Sequence, residues 1–241
     1  MAEYETAVRA VREVGPDTVA VDLAPPADFD GRPGQFVLVR VRVDGDGHPV
    51  ADQGAPPDDE GPRRGAETVT RAYTISSPSV DERVEITVGV DPTGDLSPWL
   101  AGLESGDVLP FDGPFGEVYY DPDEHGDAAV LAGGPGVGPA VAVAEAARAV
   151  GHDAAVVYED ETPAHIDRLE ALAAGGARVA VVTDADVGAT IGATDFETEV
   201  AAVVSGATPF VFGFEPFCRR ARDALADAGV DPATTLVENF G

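Results

Sequence analysis

The chain has 241 residues, with 44 acidic residues against 15 basic ones and a formal net charge of −29 at pH 7. Such a chain lacks a basic face to neutralise phosphates, so nucleic-acid binding and attachment to an anionic membrane surface are not expected. An apolar content of 44% is enough for one large domain or two small ones, which excludes a disordered acidic tail.

The basic residues are all arginine, because the sequence contains no lysine. A charge of this size repels itself at ordinary ionic strength, but near 1 M salt the Debye length falls to about 3 Å and the repulsion is screened. The composition therefore predicts a protein from a halophile. No apolar run of about 18 residues and no secretory leader are visible, so we expect a soluble, cytoplasmic protein.

Cysteine and histidine content argues against metal chemistry. The single Cys218 excludes an intrachain disulfide and an all-cysteine iron–sulfur cluster held by this chain alone. The four histidines are scattered without ligand spacing, so no metal site is predicted.

The first half is predicted to be β-structure, because apolar residues alternate or run in short blocks between turn signals. The six predicted strands are Tyr4–Val14, Thr18–Leu23, Gln35–Val43, Thr68–Ile75, Val84–Val90 and Asp107–Phe111. Between the third and the fourth, residues 44–67 are rich in glycine, proline and aspartate. We interpret this stretch as a solvated loop insertion, with a functional lid as the alternative.

The second half alternates strands with helices. Its predicted strands are Ala128–Ala132, Ala154–Tyr158, Arg178–Thr183, Pro209–Gly213 and Thr234–Val237, and its predicted helices are Pro139–Val150, Pro163–Ala173, Phe196–Val204 and Phe217–Ala228. Continuous apolar strands of this kind are typical of a doubly wound parallel sheet. The polar stretch Asp121 to Asp127 is the predicted boundary, giving domains over residues 1–122 and 123–241.

A glycine-rich turn follows the first strand of the second half. Gly133, Gly134, Gly136 and Gly138 lie between that strand and a helix, an arrangement that can hold a phosphate against open amides. The G-x-G-x-x-G fingerprint is not met, since Pro139 stands in the place of its third glycine, and no Walker-type ending is present. The alternative is a tight turn whose glycines serve packing.

Acidic residues end the next strand. Glu159, Asp160 and Glu161 stand where a carboxylate commonly accepts hydrogen bonds from a ribose diol, whereas a 2′-phosphate would favour arginine. This favours NADH over NADPH. The alternative is plain surface charge, because acidic residues occur throughout the chain.

The segment Arg71-Ala72-Tyr73-Thr74-Ile75-Ser76-Ser77-Pro78 lies on a predicted strand. A guanidinium suits a diphosphate, an aromatic ring suits a flat cofactor, and a short hydroxyl can hydrogen-bond a ring nitrogen. Strand alternation places Arg71 and Tyr73 on one face and Thr74 on the other. Together with the two-part organisation, this segment makes the sequence resemble the ferredoxin–NADP reductase family of flavoproteins along nearly its whole length. An ordinary packing strand is the alternative.

That resemblance implies a six-stranded antiparallel β-barrel that binds FAD, followed by a domain that binds NAD(P)H. It implies that Arg71 pairs with the FAD pyrophosphate, that Tyr73 packs on the isoalloxazine or ribityl region, and that the Thr74 hydroxyl lies near flavin N5. Ser76 belongs to the same predicted cofactor-binding segment. Val88 and Val90 fall on the strand that passes under the flavin.

Two further segments fit the family. Gly94 and Ser97 match a Gly-x-x-Ser turn near the pyrophosphate, and Ser97 is also predicted to cap the short helix that follows. Residues 113–116, Gly-Pro-Phe-Gly, match the turn that ends the flavin domain. Phe240 near the C-terminus is a predicted stacking or gating residue over the flavin, or else an apolar anchor for a frayed end.

The chain departs from the family at Phe212, where many members carry a cysteine beside the nicotinamide. The phenylalanine either stacks on the ring or obstructs it. Cys218, six residues later on a predicted helix, is expected to be a buried packing residue.

The leading hypothesis is a flavin-dependent oxidoreductase that takes hydride from NAD(P)H into FAD and passes electrons to a separate ferredoxin-like carrier. The main alternative, favoured by Phe212, is an FAD-bearing electron-transfer subunit or sensor that does not itself oxidise NAD(P)H. A nucleotide-binding regulator without flavin conflicts with the Arg71 segment. Ferric-chelate reduction would need more basic groups near the pocket. The sequence leaves open the acceptor, the choice of nucleotide, the direction of electron flow and the oligomeric state.

Overall fold

The computed structural model describes residues 3–43, 67–185, 187–188, 190–193 and 195–241. Its first half consists of β1 Glu3–Gly15, β2 Thr18–Leu23, β3 Phe36–Val43, β4 Glu67–Thr74, β5 Val84–Gly89, α1 Ser97–Ala101 and β6 Val108–Phe115. Its second half consists of β7 Ala128–Gly133, α2 Val137–Ala149, β8 Ala154–Glu159, α3 Ile166–Ala174, β9 Arg178–Val182, β10 Gly192–Ala193, α4 Phe196–Val203, β11 Thr208–Gly213, α5 Glu215–Asp227 and β12 Leu236–Asn239.

The first six strands form an antiparallel barrel in the order β4-β3-β6-β1-β2-β5. The two outer strands meet through a bridge between Ile75 and Ile86, and the Ser76 amide donates to the Glu85 carbonyl at 2.7 Å. Alternating strand residues turn inward to a core of valine, leucine, isoleucine and phenylalanine. The predicted six-stranded antiparallel β-barrel is confirmed.

The remaining strands form a parallel sheet in the order β10-β9-β8-β7-β11-β12. Its middle strands are apolar on both faces because helices cover both sides. The chain leaves β7 toward β8 on one side and reaches β11 on the other, so the strand order reverses between β7 and β11. In open parallel sheets, ligands bind at the carboxyl ends of strands beside such a reversal.

Several predicted boundaries are corrected by the structure. Helix α3 begins at Ile166 instead of Pro163, because His165 has a left-handed φ of 54° that a helix cannot include. Helix α2 begins at Val137 after one turn of 3₁₀ helix, and β6 continues to Phe115 because it pairs with β3 across a register shift. The short strand β10 was not predicted.

The predicted insertion 44–67 lies outside the described residues except for Glu67, which is the first residue of β4. The predicted domain boundary falls between β6 and β7, and the division into residues 1–122 and 123–241 stays a prediction. Across the described ranges, no helix has the length and apolar character needed to cross a bilayer.

Candidate functional site

The glycine-rich turn after β7 is shaped mainly by packing. A Cβ atom would lie 2.4 Å from the Phe217 ring if built on Gly133, 2.1 Å from the Phe212 carbonyl oxygen if built on Gly136, and 2.4 Å from the Thr87 hydroxyl if built on Gly138. Gly134 differs, with a φ of 57° and no atom within 4 Å of a Cβ position. The packing interpretation therefore accounts for three of the four predicted glycines, and Gly134 is the one that faces open space.

The carboxylates at the end of β8 already have partners. Arg220 on α5 bonds both oxygens of Glu159, at 2.5 and 2.7 Å, and stacks on the Phe196 ring at 4.8 Å. Asp160 accepts from the Tyr158 hydroxyl at 2.9 Å and from the Thr162 amide at 2.9 Å. A ribose bound at this edge would therefore hydrogen-bond a Glu159 carboxylate that is also paired with Arg220. The Asp160 carboxylate is occupied by hydrogen bonds within its own loop.

The β4 segment presents its side chains as the predicted alternation requires. Arg71 and Tyr73 lie opposite Val39 and Val37 of β3, on the barrel side, whereas Thr74 lies opposite Phe36 on the other face. Burial raises the pKa of Tyr73 to about 12, so this phenol stays neutral at physiological pH.

Arg71 lies beside the turn that follows β5. Its guanidinium is exposed, donates to the Thr70 carbonyl at 3.0 Å and lies 3.9 Å from the Asp95 carboxylate. The fold thereby brings Arg71 to the predicted Gly94–Ser97 segment.

The predicted helix cap at Ser97 is wrong, because Leu96 occupies the cap position and no side chain caps α1. The Ser97 hydroxyl instead accepts from the Asp91 amide at 3.0 Å and closes the turn. A side chain on Gly94 would begin 3.3 Å from the Asp91 carbonyl oxygen, so glycine suits the tight turn there. On β5, the strand before this turn, Val88 is fully buried in the barrel core, and Val90, just after the strand, packs against that core.

Ser76 is fully buried at the contact between barrel and parallel sheet. Its hydroxyl donates to the Thr74 carbonyl at 3.3 Å and accepts from the Thr87 hydroxyl at 2.9 Å. A Cβ on Gly138 would lie 2.5 Å from the same hydroxyl oxygen. Ser76 therefore faces α2, and its predicted role in cofactor binding would be exerted through the main chain of Thr74.

Two aromatic side chains lie at the carboxyl end of β11 and differ in exposure. Phe212 is fully buried, with its ring parallel to that of Phe210 at a centroid distance of 6.4 Å. Phe240 is half-buried, meets Phe214 edge-on at 5.9 Å, and donates its amide to the Gly213 carbonyl at 3.0 Å. Phe212 is thus a packing residue in this structure, and Phe240 lies at the rim.

Cys218 is buried as predicted, its thiol 3.2 Å from the Gly213 carbonyl oxygen, and burial raises its pKa.

Glu238 on β12 lies near the site and is not identifiable from sequence. Burial raises the pKa of its carboxyl, and one carboxyl oxygen lies 3.8 Å from a Cβ position on Gly116, which itself lies against the Phe36 ring. This places Glu238 beside the barrel end that carries Thr74, since Phe36 pairs with Thr74. Because the chain has 44 acidic residues, nothing in the sequence distinguishes this glutamate from the others.

A charged network between the two halves is likewise not identifiable from sequence. We call it the buried network, and it consists of Arg12, Glu85, Glu145 and Arg168. Glu85 is fully buried and pairs with Arg12 at 2.6 Å and Arg168 at 2.7 Å, while Arg168 also pairs with Glu145 at 2.6 Å. Burial raises the pKa of Glu85, although Arg168, Arg83 and Arg12 act in the opposite direction.

Comparisons with known proteins agree with this arrangement. The family described as oxidoreductase FAD-binding domain matches residues 63–120. The plasma membrane-associated coenzyme Q6 reductase PGA3 of Saccharomyces cerevisiae is 30% identical over 118 residues, which are 46% of this chain and 38% of that protein. NADH-cytochrome b5 reductase 1 of Pyricularia oryzae is 29% identical over 199 residues, or 73% of this chain and 63% of that protein. The chain therefore matches only part of the length of these relatives.

Among solved structures, a ferredoxin NADP+ reductase from Neisseria gonorrhoeae with bound FAD and NADP superimposes with a TM-score of 0.74 and 18% identity, each chain being fully covered. This likeness confirms the predicted fold, an antiparallel barrel followed by a parallel-sheet domain of the ferredoxin reductase-like FAD/NAD-binding type. The family match confirms FAD as the predicted cofactor.

Proposed function

We propose that the chain is an FAD-dependent NAD(P)H oxidoreductase that passes electrons to a separate carrier protein. One observation carries this proposal: the carboxyl end of the parallel sheet meets the barrel strand that holds Arg71, Tyr73 and Thr74. Gly34 lies at this junction between barrel and sheet. Its amide donates to the Ile75 carbonyl at 3.5 Å, and a side chain on it would begin 3.3 Å from the Phe212 ring. A nucleotide bound at the sheet and a flavin bound on the barrel would share this junction.

The residues on the barrel fit FAD. The exposed Arg71 guanidinium supplies a positive charge, and the tight turn at Gly94 beside it lets a ligand approach the backbone closely. This combination suits a pyrophosphate. Tyr73 offers a neutral aromatic ring, and Thr74 offers a hydroxyl on the opposite face of the strand. FAD held by these residues would supply the conversion of a two-electron hydride into single electrons, which an iron or iron–sulfur carrier requires.

The protein's own groups would orient the two ligands and exclude water. The turn at Gly134 leaves backbone open at the strand-order reversal, where a nucleotide phosphate would bind. Phe240 and Phe214 form an apolar rim at the same strand ends. Glu238, whose carboxyl pKa is raised by burial, lies close to the barrel end that carries Thr74.

The choice of nucleotide depends on the Glu159–Arg220 pair. A ribose diol would use Glu159 as an acceptor, whereas a 2′-phosphate would use Arg220, so the pair can serve either nucleotide by partial opening. The carrier is proposed to be a small ferredoxin-like or cytochrome-type protein. In high salt, docking of the carrier on this acidic surface would rely on short-range contacts, because long-range steering is screened. The halophilic source and the cytoplasmic location stay predictions from composition.

The test is anaerobic stopped-flow of the FAD-loaded protein against NADH and NADPH in about 1 M KCl, a salt level that screens surface charge. We expect bleaching of the visible flavin band by at least one nucleotide, followed by re-oxidation when a ferredoxin or cytochrome b5 is added. Arg71→Ala should lose bound flavin, while Arg178→Ala, a surface change on β9, should keep it. A protein that binds no flavin would overturn the proposal.

Phe212 supports the second candidate, an FAD-bearing subunit that another donor reduces. Its ring is fully buried beside Gly34 and fills the junction where a nicotinamide would approach the flavin. On this reading, neither nucleotide bleaches the wild-type flavin, and Phe212→Cys, which empties the junction, restores bleaching. Phe210→Leu is the matched control, because it also reduces a buried aromatic residue on β11 but not the one at Gly34.

A further inference from the structure

A chain of buried hydrogen bonds links the β8–α3 loop to the end of β4. The His165 imidazole Nε2 lies 2.9 Å from the Thr87 hydroxyl oxygen on β5. Thr87 donates to the Ser76 hydroxyl at 2.9 Å, and Ser76 donates to the main-chain carbonyl of Thr74 at 3.3 Å. Three side chains thus connect the parallel-sheet half with the residue expected to face the flavin.

The bonds in this chain have one consistent direction. Because Thr87 has a single hydroxyl proton and donates it to Ser76, its oxygen accepts from His165, whose Nε2 therefore carries a proton. Burial, together with the charges of Arg168 and Arg12, lowers the pKa of His165 to about 3, so the ring is neutral near pH 7. The chain ends on a carbonyl oxygen, which has no proton to pass on. It can position groups, but it cannot conduct protons to a ligand.

The three side chains are buried, because Ser76, Thr87 and His165 are 0%, 7% and 3% exposed. Helix α2 covers the two hydroxyls, since a Cβ on Gly138 would lie within 2.5 Å of both hydroxyl oxygens. In such surroundings a broken link leaves unpaired polar groups, which makes the chain sensitive to the position of either end.

The His165 end belongs to the loop that begins at the predicted ribose carboxylates. The Tyr158 hydroxyl donates to Asp160 at 2.9 Å and accepts from the Ala164 amide at 3.2 Å, so this loop is tied to its own strand. The His165 amide donates to the Val14 carbonyl of β1 at 2.6 Å. Glu159, which would bind the ribose, is joined directly to Asp160, so a shift of this residue pair on nucleotide binding would reach His165 through Tyr158 and Ala164.

The Thr74 end belongs to the junction described above. The next amide, that of Ile75, donates to the Gln35 carbonyl at 2.7 Å, and the Ile75 carbonyl accepts from Gly34. Arg168 adds a second link across the interface, because its guanidinium donates to the Ser76 carbonyl at 3.0 Å while it pairs with Glu85 and Glu145. The peptide that carries the Thr74 carbonyl is thus bonded directly by Gln35 and Ser76 of the barrel half, and Ser76 links it to Arg168 and His165 of the other half.

We propose that His165 and Thr87 are positioning residues that set the orientation of the Thr74 peptide according to the state of the β8–α3 loop, and so couple nucleotide binding to flavin binding. This inference rests on the proposed function and deepens it by assigning a path between its two ligands. Neither residue contacts a ligand in this account, because both act through Ser76.

The test measures coupling without turnover. FAD dissociation constants are measured with and without saturating ADP-ribose, which has the pyrophosphate and riboses of the nucleotide but no nicotinamide. We expect the two constants to differ by about five-fold or more in the wild type, a usual size for coupled sites. Thr87→Val keeps the side-chain shape but removes the hydroxyl, so the ratio should approach one. Thr87→Ser keeps the hydroxyl and should preserve the ratio.

A second readout needs no flavin. Hydrogen exchange at the amides of residues 74–77 in the FAD-free protein should respond to ADP-ribose in the wild type and in Thr87→Ser, but not in Thr87→Val. If Thr87→Val does not fold, His165→Asn breaks the chain one link earlier, and asparagine tolerates the left-handed backbone at this position.

Coupling that persists in Thr87→Val and His165→Asn, or that is absent from the wild type while FAD and ADP-ribose both bind, would overturn the positioning role alone. Failure of the wild type to bind FAD would overturn the proposed function first, and the positioning role with it.

Discussion

Two sets of ion pairs in this protein use the same residue types in opposite surroundings. The outer pairs, Arg71–Asp95, Arg178–Glu199 and Arg220–Glu159, lie at the surface with their arginines about half exposed. In the buried network, the Glu85 side chain is fully buried and that of Arg168 is 16% exposed, whereas Arg12 at its edge is 43% exposed. Molar salt screens the outer pairs and the Arg12 contact but hardly reaches the Glu85–Arg168 pair, so that pair keeps supporting the contact between barrel and sheet where the surface loses its support.

Removing one partner from the buried network should give the largest effect. We expect Arg168→Ala to lower the free energy of unfolding by about 3–5 kcal/mol, because Glu85 and Glu145 lose a buried cation. The measurement is urea unfolding in molar KCl. The matched change in an outer pair, Arg178→Ala, should cost about 0–1 kcal/mol. If Arg168→Ala and Arg178→Ala lose equal free energy of unfolding, the two sets of ion pairs do not differ in their contribution to stability.

Acid should destabilise the buried interface through His165. The folded-state pKa of about 3 lies below the ordinary 6.5, so between these values the unfolded chain binds a proton that the folded chain does not. Stability should therefore fall as the pH drops below 6.5, by at most about 1.4 kcal/mol per pH unit from this group. His165→Asn should flatten the unfolding free energy against pH over this window. A variant curve parallel to that of the wild type would show that His165 is not held neutral.

Among the outer pairs, Arg71 should matter for the ligand and hardly for the fold. Charge-assisted hydrogen bonds contribute about 1.5–3 kcal/mol, so Arg71→Ala should weaken FAD binding about 10- to 150-fold. Fluorescence titration of the FAD-free protein measures this, and the melting temperature without FAD should barely move. A large loss of stability in the absence of FAD would make Arg71 a structural residue instead.

The smallest effect is expected for the outer pair at the end of β8. Arg220→Gln removes the bidentate contact with Glu159, which should cost about 0–1 kcal/mol of stability at low salt and nothing measurable in molar KCl. Unfolding curves at both salt levels compare the two conditions. If the loss of stability persists in molar KCl, the Arg220–Glu159 pair behaves as a buried ion pair and the assignment to the outer set is wrong.

The Arg71–Thr74 segment shows how far motif and period could predict the site. Its strand and its alternation follow from local sequence, because side-chain direction in a strand is set by the backbone alone. The paired positions on β3 are visible only in the structure. The glycine turn shows the limit of the same reasoning. Three of its glycines are required by Phe217, Phe212 and Thr87, residues 46 or more positions away, and nothing in the turn itself identifies these neighbours.

The sequence by itself determined the barrel, the parallel sheet and the order of their elements, with boundaries within a few residues of the observed ones. It also predicted the segments that would face the two ligands. These features depend on periodicity and turn chemistry, which act over a few residues. Only the tertiary structure decided that Phe212 is buried, that Glu238 lies near the Thr74 end of the barrel, and that His165, Thr87 and Ser76 form one chain. Those contacts join residues far apart in the chain: Thr87 and Ser76 are 11 positions apart, His165 and Thr87 are 78 apart, and Glu238 and Gly116 are 122 apart. Such pairs are selected by packing between elements after each has formed.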